Sequence, residues 1–208
     1  MLMIQRHARR YLLAVIAIVL ASCTQRPPLP SFNEWRSHHA QEVALLEQHL
    51  IEQDITHVLP LQQLLRSASD WSNCSEEAYA VPPPQQWDSL VMVLRLVGAL
   101  RVAGIMGEIE VHSGYRNSRL NSCAGGAARS AHMRSFALDF TPVNDADLTQ
   151  KLCAFWRAEG KNWNMGLSRY STGRIHIDTA GFRSWGVDRD GKSTACLRAP
   201  SPHDAQRI

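Results

Sequence analysis

Residues 136–141 read Phe-Ala-Leu-Asp-Phe-Thr, an alternation of large apolar side chains with small or polar ones. A period of two is typical of a β-strand with one buried face. The same alternation occurs in residues 108–112, Glu-Ile-Glu-Val-His, and in residues 174–178, Arg-Ile-His-Ile-Asp. Three short strands in the second half of the chain predict a small sheet. Asp139 and His176 fall on the polar faces of their strands.

Helical periodicity surrounds these strands. Apolar residues recur every three or four positions in residues 34–53, 87–103 and 145–159, and residues 60–68 are predicted to form a short helix. Residues 70–86 contain three consecutive prolines and are predicted to be an irregular connection. Helices that precede a cluster of strands favour an α+β fold, with a small, mainly antiparallel sheet flanked by helices.

The composition of the chain is typical of a globular protein. The chain has 208 residues, of which 45% are hydrophobic and 20% charged, so it has room for one globular domain and is not wholly disordered. The formal charge of +3 comes from Arg6, Arg9 and Arg10, because the remainder of the chain has no formal net charge. Without a basic surface to recognise phosphates, no nucleic-acid partner is expected.

The first residues are typical of an export signal. Residues 1–10 are basic and residues 11–22 are nearly all apolar, but the apolar run is too short to span a bilayer. We therefore predict that residues 1–22 are a signal peptide. The run ends in Leu-Ala-Ser-Cys at 20–23, which resembles the lipobox of bacterial lipoproteins. The alternative is an ordinary signal peptide followed by an incidental cysteine.

The lipobox resemblance implies that Cys23 carries acyl chains and anchors the protein to a membrane. Residues 23–33 then form the lipidated cysteine and a proline-rich tether. Thr24, rather than an aspartate, follows Cys23, which by resemblance to bacterial lipoprotein sorting favours the outer membrane. We expect a periplasm-facing domain at residues 34–198 and a flexible tail at residues 199–208.

Four further cysteines remain after Cys23. An even number in an exported protein suggests two disulfides, and four cysteines allow three pairings. We favour the pairs Cys74–Cys123 and Cys153–Cys196. The sequence has no Cys-x-x-Cys motif, so these cysteines do not have the spacing of a zinc knuckle.

His132, Asp139 and His176 are candidate metal ligands. His132 and Asp139 are seven residues apart, and His176 lies on another predicted strand. Two imidazoles, one carboxylate and an open position for water suit Zn²⁺. Zn²⁺ in such a site lowers the pKa of its bound water from 15.7 to about 7. A histidine and an aspartate at this spacing also occur by chance, so the spacing by itself only suggests a site.

Longer motifs surround these candidates. The segment 113–142 contains Ser-Gly-Tyr-Arg at 113–116, followed by Asn121, Ser-x-His at 130–132 and Ala-x-Asp at 137–139. A second block has Gly-Leu-Ser-Arg-Tyr at 166–170, Ile-His-Ile-Asp-Thr at 175–179, then Arg183 and Trp185.

Together the two blocks resemble the M15 family of zinc D-Ala-D-Ala carboxypeptidases and related murein endopeptidases, over roughly residues 86–187. The resemblance implies one Zn²⁺ ion held by His132, Asp139 and His176. It also implies the mixed α+β fold that these DD-peptidases share with Hedgehog-type domains.

Two positions depart from the family pattern. Ser135 stands where the family usually has a glycine, which suggests a slightly different loop. Gly173 stands three residues before His176, where some relatives have a catalytic acid. Asp178 is on the same strand face as His176, so it is either the general base or a carboxylate that orients His176.

Three other residues of the motifs are candidates for substrate contact. Arg116 offers a planar cation for a substrate carboxylate or a developing oxyanion, and its alternative is a structural ion pair with a nearby glutamate. Tyr115 and Ser130 either line the cleft or serve in packing and in a turn hydrogen bond. Trp185 is expected in the core.

These observations predict hydrolysis of peptide bonds in bacterial peptidoglycan by a zinc enzyme, either a D-Ala-D-Ala carboxypeptidase or a murein endopeptidase. The expected partners are a peptidoglycan peptide and, through the lipid, a membrane. The alternative is a non-catalytic, zinc-containing lipoprotein that binds peptidoglycan or assists assembly, which the glycine at 173 favours. The sequence does not indicate an oligomeric state.

Overall fold

A computed structural model describes residues 27–186 and Cys196. The predicted signal peptide at 1–22, the predicted lipidation site at Cys23 and the predicted tail at 199–208 lie outside the described residues. In the part that is described, no helix combines the length and apolar character needed to cross a membrane.

The described residues contain α-helices before the first strand and between the strands. They are α1 (Phe32–His38), α2 (Ala40–Glu52), α3 (Leu61–Leu64), α4 (Trp87–Val102), α5 (Ser118–Cys123) and α6 (Leu148–Glu159), with short 3₁₀ helices at Pro84–Gln86 and Ala131–Arg134. The helix predicted at 34–53 is thus two helices, since the chain breaks at His39 between α1 and α2. The predictions for 60–68, 87–103 and 145–159 correspond to α3, α4 and α6, whereas α5 was not predicted.

The strands form one sheet of order β1-β2-β4-β3-β5. They are β1 (Ile109–Ser113), β2 (Ala137–Pro142), β3 (Gly166–Arg169), β4 (Ile175–Asp178) and β5 (Arg183–Gly186). Neighbouring strands are antiparallel except β3 and β5, which are parallel. The predicted α+β fold with a mainly antiparallel sheet is confirmed. The alternation predicted β1, β2 and β4, but it missed β3 and β5, each only four residues long.

The two faces of the sheet differ in chemistry. One face contributes Leu138, Phe140 and Ile177 to the hydrophobic core, together with the buried stripe of α4. Along that stripe Val93 and Val97 are fully buried. Burying such apolar surface is the main driving force for this layer arrangement.

A row of paired residues crosses the opposite face of the sheet. The register aligns Ser113 with Asp139, Asp139 with His176, His176 with Ser168, and Ser168 with Trp185. An irregularity between Val111 and Ser113 in β1 shifts the register there. Residues in one row of a sheet face have their side chains side by side, so the pairing itself brings Asp139 and His176 together.

Two disulfides link the loops to the helices. Cys74 bonds to Cys123 at the end of α5, and Cys153 of α6 bonds to Cys196. These are the two pairs that are predicted from the sequence. The first bridge ties the irregular connection, residues 70–86, to the helix that follows the Ser-Gly-Tyr-Arg motif.

Candidate metal centre

The three predicted ligands converge in the structure. Asp139 Oδ1 lies 2.8 Å from His176 Nδ1 and 3.2 Å from His132 Nε2, and the two nitrogens are 3.2 Å apart. All three residues are buried, between 2% and 4% exposed. No other group of at least three histidines, cysteines, aspartates or glutamates within the described ranges converges closely enough to hold a metal ion.

This triangle matches one face of a tetrahedral metal site. Ligand atoms at 2.0–2.1 Å from a tetrahedral Zn²⁺ lie about 3.3 Å from one another. The three observed separations are close to that value. A set of two imidazole nitrogens and one carboxylate oxygen is also a common donor set for Zn²⁺, so the residues present fit the ion that the sequence predicts.

The position of His132 is fixed by a short helix above the polar face of the sheet. His132 lies in the 3₁₀ helix Ala131–Arg134, and the Ser130 side chain caps this helix by accepting a bond from the His132 amide at 3.3 Å. The ring Nδ1 donates to the Gly114 carbonyl at 2.7 Å. Since a carbonyl can only accept, the proton is on Nδ1 and the lone pair of Nε2 faces the other ligands.

The second histidine is oriented in the same way by a carboxylate. His176 Nε2 donates to Asp178 Oδ2 at 2.9 Å, so Nδ1 is the nitrogen that faces Asp139. Asp178 is fully buried, and it also accepts from Arg183 at 2.7 and 2.9 Å and from the Ala180 amide at 2.8 Å. A carboxylate behind a ligating histidine is the usual arrangement at metal sites.

The pKa values of the three predicted ligands are shifted, and not all in the same direction. Burial lowers the pKa of His132, which keeps that imidazole neutral. Burial by itself also lowers the pKa of His176, but its hydrogen bonds to Asp139 and Asp178 outweigh burial and raise the pKa. Burial tends to raise the pKa of Asp139, yet the two histidines bring it well below its ordinary value. In the ion-free protein a proton therefore partly fills the place of a metal cation.

Arg116 contacts a predicted metal ligand. Its guanidinium donates to Asp139 Oδ2 at 2.5 Å and to Ser113 Oγ at 2.7 Å. The predicted alternative, an ion pair with a glutamate, is therefore wrong in its partner, because the β1–β2 pairing brings Arg116 to Asp139. Since Asp139 Oδ1 belongs to the triangle, Arg116 holds the carboxylate by its other oxygen.

Asp178 does not have the geometry of a general base. It lies across the His176 ring from the ligand atom Nδ1, and both of its oxygens already accept hydrogen bonds. A general base needs hydrogen-bond reach to the attacking water. Of the two roles that the sequence leaves open for Asp178, this placement favours the orienting one.

The two departures from the family pattern have local explanations. Ser135 ends the 3₁₀ helix with a left-handed φ of 57°, so the loop has the backbone that a glycine would adopt readily. Gly173 has a φ of 87° in the turn between β3 and β4. An acidic side chain at that position would be strained in this turn.

The candidates for substrate contact fall into different surroundings. Tyr115 lines a groove with Pro83 and Trp87, and burial raises its pKa. The observed contact of the Ser130 side chain is the turn hydrogen bond of the alternative prediction. Trp185 is only partly buried, and its ring lies 5.1 Å from that of His176, edge to face. Trp185 therefore contacts the site and is not in the core.

One further residue at the site was not singled out from the sequence. The Tyr170 hydroxyl lies 3.5 Å from Asp139 Oδ1. Burial and the Asp139 charge raise the pKa of Tyr170 far above its ordinary value, so the hydroxyl stays protonated. The sequence could have indicated this position. Tyr170 is two residues after Ser168, which pairs with His176, and residues two apart along a strand lie on the same face of the sheet.

Comparison with known proteins agrees with this geometry. No curated protein matches the chain. A family model described as Peptidase M15 matches residues 59–178, more than half of the chain and a range that includes all three predicted ligands. The chain belongs to the peptidase M15 family.

Proposed function

We propose that this protein is a zinc metallopeptidase that hydrolyses peptide bonds in bacterial peptidoglycan, as a D-Ala-D-Ala carboxypeptidase or a murein endopeptidase. The observation that carries the proposal is the buried triangle of His132, Asp139 and His176, whose edges are 2.8–3.2 Å. Membership of a peptidase family supports the reaction class.

The residues around the triangle have defined parts in this proposal. When bound, Zn²⁺ supplies a Lewis acid that polarises a carbonyl and lowers the pKa of water to about 7. Gly114 and Asp178 fix the tautomers of the two histidines, so that one nitrogen of each faces Asp139. Arg116 holds Asp139 and has further N–H groups, since the two observed bonds use two of its five. Those groups can donate hydrogen bonds to a substrate carboxylate or an oxyanion.

A non-catalytic role is the second candidate. Gly173 stands in place of the acid of some relatives, and Asp178 is fully engaged behind His176. These observations favour a protein that keeps zinc for structure and binds peptidoglycan or assists its assembly. Such a protein binds zinc and wall peptides without turnover.

Digestion of purified murein sacculi separates the two candidates. We expect the purified, zinc-loaded protein to release muropeptides, and a chelator to stop their release. Mass spectrometry of the products distinguishes loss of a terminal D-Ala from cleavage of a cross-link. Zinc-loaded protein that yields no chelator-sensitive product would establish the non-catalytic role instead.

A variant of the site tests the ligand assignment. His132→Ala removes one of three ligands, so we expect it to lose both stoichiometric zinc and activity. His57→Ala, at an exposed position on a different surface, is the matched control and retains both. Retention of zinc by His132→Ala would contradict the assigned site.

We also propose that the protein is a lipoprotein anchored at Cys23 in the outer membrane, with its domain facing the periplasm and the peptidoglycan. The support is the lipobox-like sequence after a basic and apolar leader. Two or more acyl chains give stable anchoring. Labelled palmitate is expected to enter the wild type and not Cys23→Ala, and equal labelling of both would contradict the anchor.

A further inference from the structure

We propose that Tyr170 is a catalytic residue of this peptidase, whose hydroxyl donates a hydrogen bond to the scissile carbonyl oxygen as that oxygen gains negative charge. The inference rests on the proposed function, because it assigns a part in the same hydrolysis. The hydroxyl keeps its proton throughout and forms no covalent bond.

The first support is the position of the hydroxyl. It lies 3.5 Å from Asp139 Oδ1, the oxygen of that carboxylate that belongs to the triangle. Whereas the three ligands are buried, Tyr170 is 38% exposed. Tyr170 therefore lies between the buried triangle and solvent, on the side from which we expect a substrate to enter.

The second support is the way in which the backbone holds the side chain. Tyr170 follows β3, and its amide donates to the Arg174 carbonyl at 2.9 Å, while the Gly173 amide donates to the Tyr170 carbonyl at 3.0 Å. These bonds close the hairpin between β3 and β4. A side chain at the end of a paired strand is held more precisely than one in a loop, and precise placement is what stabilisation of a transition state requires.

The third support is the weakness of the bond that the hydroxyl now makes. An O–H···O hydrogen bond is normally 2.5–3.0 Å long, so the contact of 3.5 Å with Asp139 is a poor one. A hydroxyl near its acceptor but not well bonded can turn to a stronger acceptor at little cost. A developing oxyanion is such an acceptor.

The other polar groups near the ligands are less suited to this part. Asp178 is behind the His176 ring, and Gly173 has no side chain to offer. Arg116 already uses two of its N–H groups on Asp139 and Ser113, and the groups that remain supply a cation, not a neutral donor. Tyr170 thus complements Arg116, with one neutral donor and one cation directed at the same centre.

The test is Tyr170→Phe in the full, zinc-loaded protein, with Tyr79→Phe as the control. Tyr79 is a fully buried core residue whose hydroxyl bonds to Gln62 and the Pro30 carbonyl. On a pentapeptide and a cross-linked muropeptide, we expect Tyr170→Phe to lower kcat about 100-fold with little change in KM, as for loss of one oxyanion donor. Zinc affinity, measured by competition with a chelator, stays unchanged, which separates this role from mere positioning of Asp139.

A binding measurement gives a second readout that does not need turnover. The probe is a phosphinate dipeptide, in which a tetrahedral phosphorus replaces the scissile carbonyl carbon and its oxygen mimics the oxyanion. Calorimetry is expected to show binding about 100-fold weaker to Tyr170→Phe than to wild type and Tyr79→Phe. Equal binding to all three proteins, or reduced zinc affinity in Tyr170→Phe, would overturn the proposal while leaving the proposed function in place. Wild-type protein with no chelator-sensitive product would instead remove the proposed function itself.

Discussion

Asp178 and Asp139 contact the two ring nitrogens of His176 from opposite sides. Asp178 Oδ2 lies 2.9 Å from Nε2, and Asp139 Oδ1 lies 2.8 Å from Nδ1. The two carboxylates therefore have different tasks, although both are buried. Asp139 shares the triangle of ligand atoms, and Asp178 fixes which nitrogen of the ring takes part. This division explains why a second aspartate follows the histidine at two residues, the spacing that places both side chains on one strand face.

Asp178→Asn tests this division. The amide keeps the size of the side chain but weakens the bond to His176 and the pair with Arg183. We expect zinc affinity to fall about 10- to 100-fold, as for other orienting carboxylates, and activity at saturating zinc to be largely retained. Chelator competition and muropeptide release measure the two properties. Full zinc affinity with activity almost abolished would show instead that Asp178 acts as the base.

Gly166→Ala probes the same carboxylate from the neighbouring strand. Gly166 pairs with Asp178, and an added Cβ would come within 2.6 Å of the carboxyl carbon. Because the site is overfilled, we expect the free energy of unfolding to fall by about 1–3 kcal/mol and zinc affinity to fall with it. Chemical denaturation and zinc titration measure both effects.

Gly107→Ala is the matched control for this substitution. An added Cβ there meets nothing within 4 Å and the backbone does not have a positive φ, so a change within about 0.5 kcal/mol is expected. If Gly166→Ala were as stable as the control and bound zinc equally well, the close packing of Gly166 against Asp178 would contribute neither to stability nor to zinc affinity.

The sequence was informative where a contact lies within one strand or motif. Alternation in β1, β2 and β4 predicted the sheet, and the faces of Asp139 and His176 followed from the same period. Other contacts between strands were not predicted: Arg183 reaches Asp178 because the chain returns in β5 to lie parallel to β3. The partner of Arg116 was missed for the same reason, since the register of β1 on β2, with its irregularity between Val111 and Ser113, decides it.

His112 gives the ion-free protein a pH dependence of known sign. Burial, and then the charge of Arg174, lower the pKa of His112 from its ordinary 6.5. Below pH 6.5 the unfolded chain therefore binds more protons at this residue than the folded chain, so this contribution to stability is present above that pH and is lost as the pH falls.

His112→Gln removes this titration. In the wild type His112 Nε2 lies 2.9 Å from the Thr141 hydroxyl, and the glutamine amide replaces that ring nitrogen. With chelator present, we expect wild type to lose more free energy of unfolding than His112→Gln between about pH 8 and about pH 5.5. Urea denaturation at both pH values measures the two losses. Equal losses would show that His112 titrates alike in the folded and unfolded chains.

Arg116→Lys tests whether the fork of the guanidinium is required or only its charge. Arg116 bonds to Asp139 and Ser113 with two different nitrogens, and it is 12% exposed. A lysine ammonium is a point charge that cannot reproduce this fork. We expect zinc affinity to fall about tenfold, because Asp139 loses its fixed orientation, and kcat/KM on muropeptides to fall further. Arg119→Lys is the control, since Arg119 is 73% exposed and pairs with Glu76 away from the ligands. It should match wild type in both measurements, and an Arg116→Lys protein equal to this control would reduce the role of Arg116 to its charge.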